Sequence, residues 1–178
     1  MSIICKSQIS YLIVEKKKKR IEHISTKEKR ATLSNMGVSR MKLDTCGIWL
    51  NLKILDVSFN KISYIPEIMS LEELFCGHCL LEELPAYLPL LRILHCPNNK
   101  IGHMEHYLNL ITLNCSHNKI RNLTHQQVPN LLQLTIDSNP IQEITCKKLV
   151  LLSAIRCPLM IVHKNKSMMR RINDSYIT

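Results

Sequence analysis

One set of spacings returns along this chain and limits what it can fold into more than its length or composition does. Leu52, Leu55, Val57, Asn60 and Ile62 recur as Leu91, Leu94, Cys96, Asn99 and Ile101, as Leu110, Leu113, Cys115, Asn118 and Ile120, and as Leu131, Leu134, Ile136, Asn139 and Ile141. A variant copy, Leu71, Leu74, Cys76, Cys79 and Leu81, lies between the first two, and a weaker one, Leu149, Leu152, Ala154, Cys157 and Leu159, follows the last. The leading leucines stand 19, 20, 19, 21 and 18 residues apart. Self-similarity at so short and even a period specifies a stack of like units, each contacting only its neighbours.

Within each copy the apolar–polar alternation predicts a short strand with its leucines on one side and the intervening residues on the other. One such strand cannot bury its own apolar side, so the copies must stack their leucines into one continuous core. The first column of that core is Leu52, Leu71, Leu91, Leu110, Leu131 and Leu149, and the second is Leu55, Leu74, Leu94, Leu113, Leu134 and Leu152. Ile62, Leu81, Ile101, Ile120, Ile141 and Leu159 close each turn, and Ile65, Leu84, Met104, Leu123 and Ile144 add a further column. The consensus L-x-x-L-x-L-x-x-N/C-x-L with a period near twenty resembles the leucine-rich repeat family. That resemblance implies an α/β-type repeat solenoid, a curved horseshoe segment with a parallel concave sheet and a mostly irregular or short-helical convex side. It also implies that Asn60, Asn99, Asn118 and Asn139 bond backbone groups of adjacent turns, with Cys79 and Cys157 as variants at that position. Proteins of this family are mostly binding scaffolds.

Val38, Met41, Leu43, Cys46 and Ile48 repeat the pattern once more at compressed spacing and read as a shortened first copy. Residues 1–35 read as a basic N-terminal flank in which Ile9 to Val14 caps the open end of the stack, 36–162 as the repeat domain, and 163–178 as a basic tail. An end cap is expected because a terminal repeat otherwise exposes core leucines. The apolar stretch at Met1 to Val14 is too short for a membrane span and lacks a secretory layout.

The charge supports this division. The chain carries 24 basic and 14 acidic residues, a net charge of +10. Residues 1–35 contribute +6 and residues 156–178 contribute +4, leaving the middle neutral. The run Lys16, Lys17, Lys18, Lys19 and Arg20 is compatible with a nuclear-localisation signal, a nucleic-acid or anionic-membrane contact, or a solvated stretch. With only two Phe, five Tyr and one Trp in the chain, no aromatic stacking set accompanies it.

Cys76-Gly77-His78-Cys79 is similar, as four letters, to the active-site motif of protein disulfide isomerases. The repeat register argues otherwise, because Cys76 falls at an inward strand position and Cys79 at the asparagine position, with no βαβ context around them. A zinc site built from Cys76, His78, Cys79 and His95 is unfavourable for the same reason, since Cys76 points inward and His78 outward and the ligands cannot converge on one point. Cys76, Cys96 and Cys115 form an inward column, as small apolar side chains do. The absence of cysteine-rich caps points to a reducing compartment, so the expected location is cytoplasmic, with the nucleus as the alternative.

The residues between the inward leucines line the concave face in three columns. The expected partner-binding positions are Ile54, Asp56, Phe59, Phe75, His78, Ile93, His95, Asn114 and His117, with the apolar members clustered in the N-terminal half. Apolar and aromatic groups ringed by polar ones are characteristic of protein interfaces. No catalytic constellation, Gly-rich phosphate loop, cofactor or metal site is expected. The function that follows is a non-enzymatic scaffold for another protein, the alternative being a nuclear or nucleic-acid-associated protein that works through its basic flanks. Similar short repeat proteins are encoded by large DNA viruses and AT-rich protists, which fits a chain with 22 Ile, 16 Lys and 13 Asn but only four Gly.

Overall fold

A computed structural model of the chain describes the backbone of residues 11–16, 21–25, 28–43, 51–159, 161–162 and 169–171, and the side chains of 28–41 and 51–159. The strands are β1 (Tyr11–Lys16), β2 (Ile21–Ser25), β3 (Arg30–Thr32), β4 (Val38–Leu43), β5 (Ile54–Asp56), β6 (Glu73–Phe75) and β7 (Ile93–His95). They continue as β8 (Thr112–Asn114), β9 (Asn122–Leu123), β10 (Gln133–Thr135), β11 (Glu143–Ile144), β12 (Leu151–Ser153), β13 (Ile161–Val162) and β14 (Met169–Arg171). Eight of them form one sheet in the order β14-β12-β10-β8-β7-β6-β5-β3, and every pairing in it is parallel. The small strands β9, β11 and β13 form a second parallel sheet on the other side of the coil, and β2-β1-β4 form an antiparallel one.

Each strand of the long sheet is only three residues long because the repeat is short, and its middle residue is the inward leucine. From β5 to β8 the outer two residues are half-buried around a buried centre. The register is unbroken: Leu55, Leu74, Leu94, Leu113, Leu134 and Leu152 pair in succession and are at most 3% exposed. The first leucine column, the turn-closing column as far as Ile141, and the Ile65 column are buried as the sequence predicts. A further column is formed by Ile68, Leu88, Tyr107, Val128 and Cys146, each three residues before a leading leucine. Its backbone carbonyls accept from the amides of Leu71, Leu91, Leu110, Leu131 and Leu149, closing a turn before each new strand.

The asparagines hold neighbouring turns together. Asn118 donates Nδ2 to Cys115 O at 2.9 Å in its own turn and to Cys96 O at 3.0 Å in the preceding one, while its Oδ1 accepts from Ile101 N at 3.0 Å. Asn60, Asn99 and Asn139 repeat this three-way arrangement. Buried backbone groups that stacking would otherwise leave without partners are satisfied in this way.

Three features depart from the sequence expectation. The copy before Leu52 has its strand at β3, where Ala31 pairs with Leu55 and Val38 N bonds Asn60 Oδ1, so Val38 fills the place of Ile62 and does not begin a repeat. Residues 38–43 turn away as β4 in the antiparallel sheet, and Cys46 and Ile48 lie outside the described residues. β14, within the segment read as a tail, continues the long sheet beside β12. On the convex side the irregular form holds, since the described residues contain short extended pieces and no helix. Consequently no helix among them is long and apolar enough to cross a membrane.

Candidate functional site

The open face of the long sheet is built by the outer residues of each strand and by the turn that follows. Ile54, Glu73, Ile93, Thr112, Gln133 and Leu151 are paired neighbours in one row. Asp56, Phe75, His95, Asn114, Thr135 and Ser153 make a second row, about 4.8 Å from strand to strand. All nine residues expected to bind a partner lie on this face. Ile54, Asp56, Phe59, Phe75, His78, Ile93 and His95 come together over β5, β6 and β7, while Asn114 and His117 stand one strand further along.

The third row is a run of residues in the left-handed conformation. Phe59, His78, Asn98, His117, Ser138 and Arg156 have φ between 54° and 58° in the turn after each strand, and Asn35 has the same geometry in the first copy. A positive φ brings Cβ of an L-residue against its own backbone and costs about 1–2 kcal/mol. The fold retains it because the amides of this row from Phe59 to Ser138 each donate to a carbonyl of the next turn. Phe59 N donates to Gly77 O at 2.8 Å, His78 N to Pro97 O at 2.8 Å, and His117 N to Asp137 O at 2.7 Å. The sequence marks this row only weakly, since the positions carry none of the four glycines and only Asn98, His78 and His117 are of types enriched in that conformation.

The side chains here are ordered by each other. The rings of Phe59 and His78 stack with centroids 4.4 Å apart and planes 11° from parallel. Asn98 Nδ2 lies 3.2 Å from His78 Nε2, within hydrogen-bond distance. One row inward, Phe75 and His95 lie 5.2 Å apart and tilted by 39°. Burial holds His95 below the usual imidazole range, and the neighbouring Glu73 carboxylate pulls in the opposite direction. Phe59 is 56% exposed, a large apolar ring turned to solvent. Asp56 and Asn114 are partly committed to the fold, accepting from Ser58 N at 2.9 Å and from Ser116 N at 3.2 Å. Lys16 ends β1, and Lys17, Lys18, Lys19 and Arg20 lie outside the described residues.

Cys76 and Cys79 are both held in the protonated thiol form. Cys76 is fully buried and burial pushes its thiol well above the usual range; Cys79 is raised for the same reason and donates its thiol to Val57 O at 3.3 Å. Gly77 between them faces the ring of Pro97, where a Cβ would come within 3.1 Å of Cγ and Cδ. The four letters are thus accounted for by stacking. Among the described residues no three His, Cys, Asp or Glu side chains could hold one metal ion.

Known proteins resemble this chain in both sequence and fold. Residues 51–70 match the family model described as Leucine Rich Repeat. Leucine-rich repeat protein R380 of Acanthamoeba polyphaga mimivirus is 36% identical over 94 residues, which are 49% of this chain. The match covers only 22% of that relative's length. Among solved structures, the leucine-rich repeat domain of a Shigella effector superposes with a TM-score of 0.61 at 17% identity, covering 82% of this chain and 81% of the other. YopM from Yersinia enterocolitica WA-314 gives 0.59 at 22% identity, covering 83% and 38%. One turn matches the family model, the remaining turns follow it in the same register, and the described coil has the fold of those leucine-rich repeat structures.

Proposed function

We propose that this chain is a non-enzymatic scaffold that captures a partner protein on the open face of its parallel sheet. The contact centre is the cluster of Ile54, Phe59, Phe75 and Ile93 with His78 and His95. The observation that carries this reading is Phe59. Its ring is 56% exposed, it contributes nothing to the core, and it sits at a φ of 58° that asparagine adopts more readily. Stability alone favours a small polar residue there. An aromatic platform stacked on an imidazole, beside a half-buried Phe75, matches instead the apolar, aromatic centre and polar rim of a protein interface. The free cysteines among the described residues, all buried except the partly exposed Cys157, fit a reducing, cytoplasmic setting.

Capture from cell lysate tests the reading, using the full chain, a Phe75→Asp variant, and a variant with Lys16, Lys17, Lys18, Lys19 and Arg20 changed to Gln. Neutralising the run is preferable to deleting residues 1–35, because β3 belongs to the solenoid. A protein retained by the parent and by the neutralised variant, but lost with Phe75→Asp at an unchanged thermal midpoint, supports the sheet face. Capture that follows the basic run, collapses with salt and returns nucleic acid assigns binding to the flanks instead.

A further inference from the structure

The edge where the chain enters the strands carries a groove separate from the aromatic cluster. It has a volume of about 580 Å³, and Leu90, Ile111 and Leu132 from three successive repeats form its floor. Leu90 is 47% and Leu132 38% exposed. The amides along the groove are already used: Asn109 Nδ2 donates to Pro89 O and Asn130 Nδ2 to Leu108 O, both at 2.8 Å. The floor is left apolar.

The charges at its ends do not balance. Glu72 is held by the Lys53 ammonium in an ion pair, with Arg92 close enough to act on the same carboxylate. At the other end Lys148 bonds Asn130 Oδ1, a neutral acceptor. With the Glu72 charge answered by Lys53, the two cations that line the groove, Arg92 and Lys148, stand at opposite ends of an apolar floor. A phosphate backbone would answer the cations and leave the leucines uncovered, whereas a peptide with both carboxylates and a leucine answers both.

We propose that this groove docks an extended acidic segment of a partner protein of the form Glu-x-Leu-x-Glu, lying across the strands. The spacing follows from the fold. Arg92 immediately precedes β7, and Lys148 lies three residues before β12, three strands further along the sheet. At about 4.8 Å per strand the distance across the sheet is about 14 Å, and an extended chain advancing about 3.3 Å per residue covers it in about four residues. Alternation places residues one, three and five on the same side. The first and fifth side chains then reach Arg92 and Lys148 as carboxylates, and the third enters the floor as a leucine. This surface is independent of the Phe59 and Phe75 cluster.

Fluorescence anisotropy on the full chain tests the proposal with a dye-labelled peptide whose core is Glu-Ser-Leu-Ser-Glu. Two companion peptides replace its leucine by serine or its glutamates by lysine. Arg92 and Lys148 are both exposed, so the double variant R92E/K148E keeps its fold, which circular dichroism verifies. The acidic leucine peptide should bind the parent saturably, lose about tenfold or more in affinity with R92E/K148E, and be outbound there by the lysine peptide. Phe75→Asp should leave this binding unchanged, so failure here and failure of the sheet-face reading are distinguishable. Absence of saturable binding, equal binding of the serine peptide, or equal binding of a single-stranded oligonucleotide of the same charge would overturn the proposal.

Discussion

The Cys79 thiol donates to Val57 O at 3.3 Å, the cross-turn bond that Asn118 Nδ2 makes to Cys96 O at 3.0 Å. Cysteine supplies only that half of the link. The asparagine also accepts through Oδ1 from a backbone amide of the preceding turn, and a thiol has no second atom to offer Ile62 N. Replacing Cys79 by Asn should therefore stabilise the solenoid by about 1 kcal/mol, the net value of one added hydrogen bond. Asn118→Ala should do the reverse on a larger scale. It strands a buried amide and buried carbonyls together, each costing about 1–3 kcal/mol. Urea denaturation of the two variants checks both; a destabilised Cys79→Asn would show that this turn cannot accommodate the amide.

Gly77 faces the Pro97 ring, and a methyl group there meets Cγ and Cδ at 3.1 Å. Gly77→Ala should therefore destabilise the fold by about 1–3 kcal/mol, as overpacking of a tight contact does. Most of that loss should return in the double variant Gly77→Ala/Pro97→Ser, because the ring is what the methyl strikes. A double-mutant cycle in urea measures the coupling, and strictly additive losses would refute the steric assignment.

The inward thiols couple stability to alkaline pH. Burial raises Cys76 and Cys115 well above the usual thiol range and brings Cys96 and Cys146 to about 12. Because folded thiols hold protons that unfolded ones release above about pH 8.5, stability should be complete below that value and fall as pH rises beyond it. Each such cysteine contributes a slope of about 1.4 kcal/mol per pH unit. Replacing Cys96 and Cys115 by Ala should flatten the slope even though it lowers stability at pH 7. A thermal midpoint independent of pH between 8.5 and 10.5 would contradict buried, protonated thiols.

The sequence reveals those parts of the fold in which the same residue does the same job in most turns. The inward leucines and the asparagines are of that kind, and the alternation between them places Ile54, Asp56, Phe75, Ile93, His95 and Asn114 on one face. The column of Ile68, Leu88, Tyr107, Val128 and Cys146 is equally buried but uses a different residue in every turn, so no consensus letter marks it. Tyr107 is compatible with it only because its hydroxyl donates to Pro85 O at 2.7 Å. The copy at β3 is obscured by substitution: Glu28, Ala31 and Met36 stand where Leu52, Leu55 and Asn60 stand in the next turn. β14 is harder still, as Arg170 pairs with Leu152 at the leucine position. Backbone register, which composition does not encode, identifies both.

The left-handed row is only weakly marked in the sequence, and it separates the residues that fill it. His117 is exposed and has a φ of 55°. Asparagine tolerates that conformation, whereas a β-branched side chain there is a genuine outlier. His117→Asn should therefore be neutral or slightly stabilising, and His117→Val should cost about 1–2 kcal/mol. Comparing the two midpoints in urea removes any contribution from loss of the imidazole, since both variants lack it. Equal midpoints would mean that the turn relaxes to negative φ.

His95 offers a direct reading of the sheet face, because burial beside Phe75 lowers its proton affinity while Glu73 works to raise it. Proton NMR should place its titration below the ordinary value of about 6.5. Glu73→Gln should move it lower still, and Phe75→Ala, by admitting water, should bring it back towards that value. The sign for stability follows from the same shift. Unfolded His95 takes up a proton more readily than folded His95, so its contribution is present above about pH 6.5 and is lost as pH falls through its folded-state pKa. A protein seated on Phe75 and Ile93 would deepen the burial of the ring, so its capture should weaken on acidification over the range in which His95 titrates. A titration midpoint at or above the ordinary value would mean that the ring stands in water, and the aromatic cluster would then lack the desolvated centre that a protein interface requires.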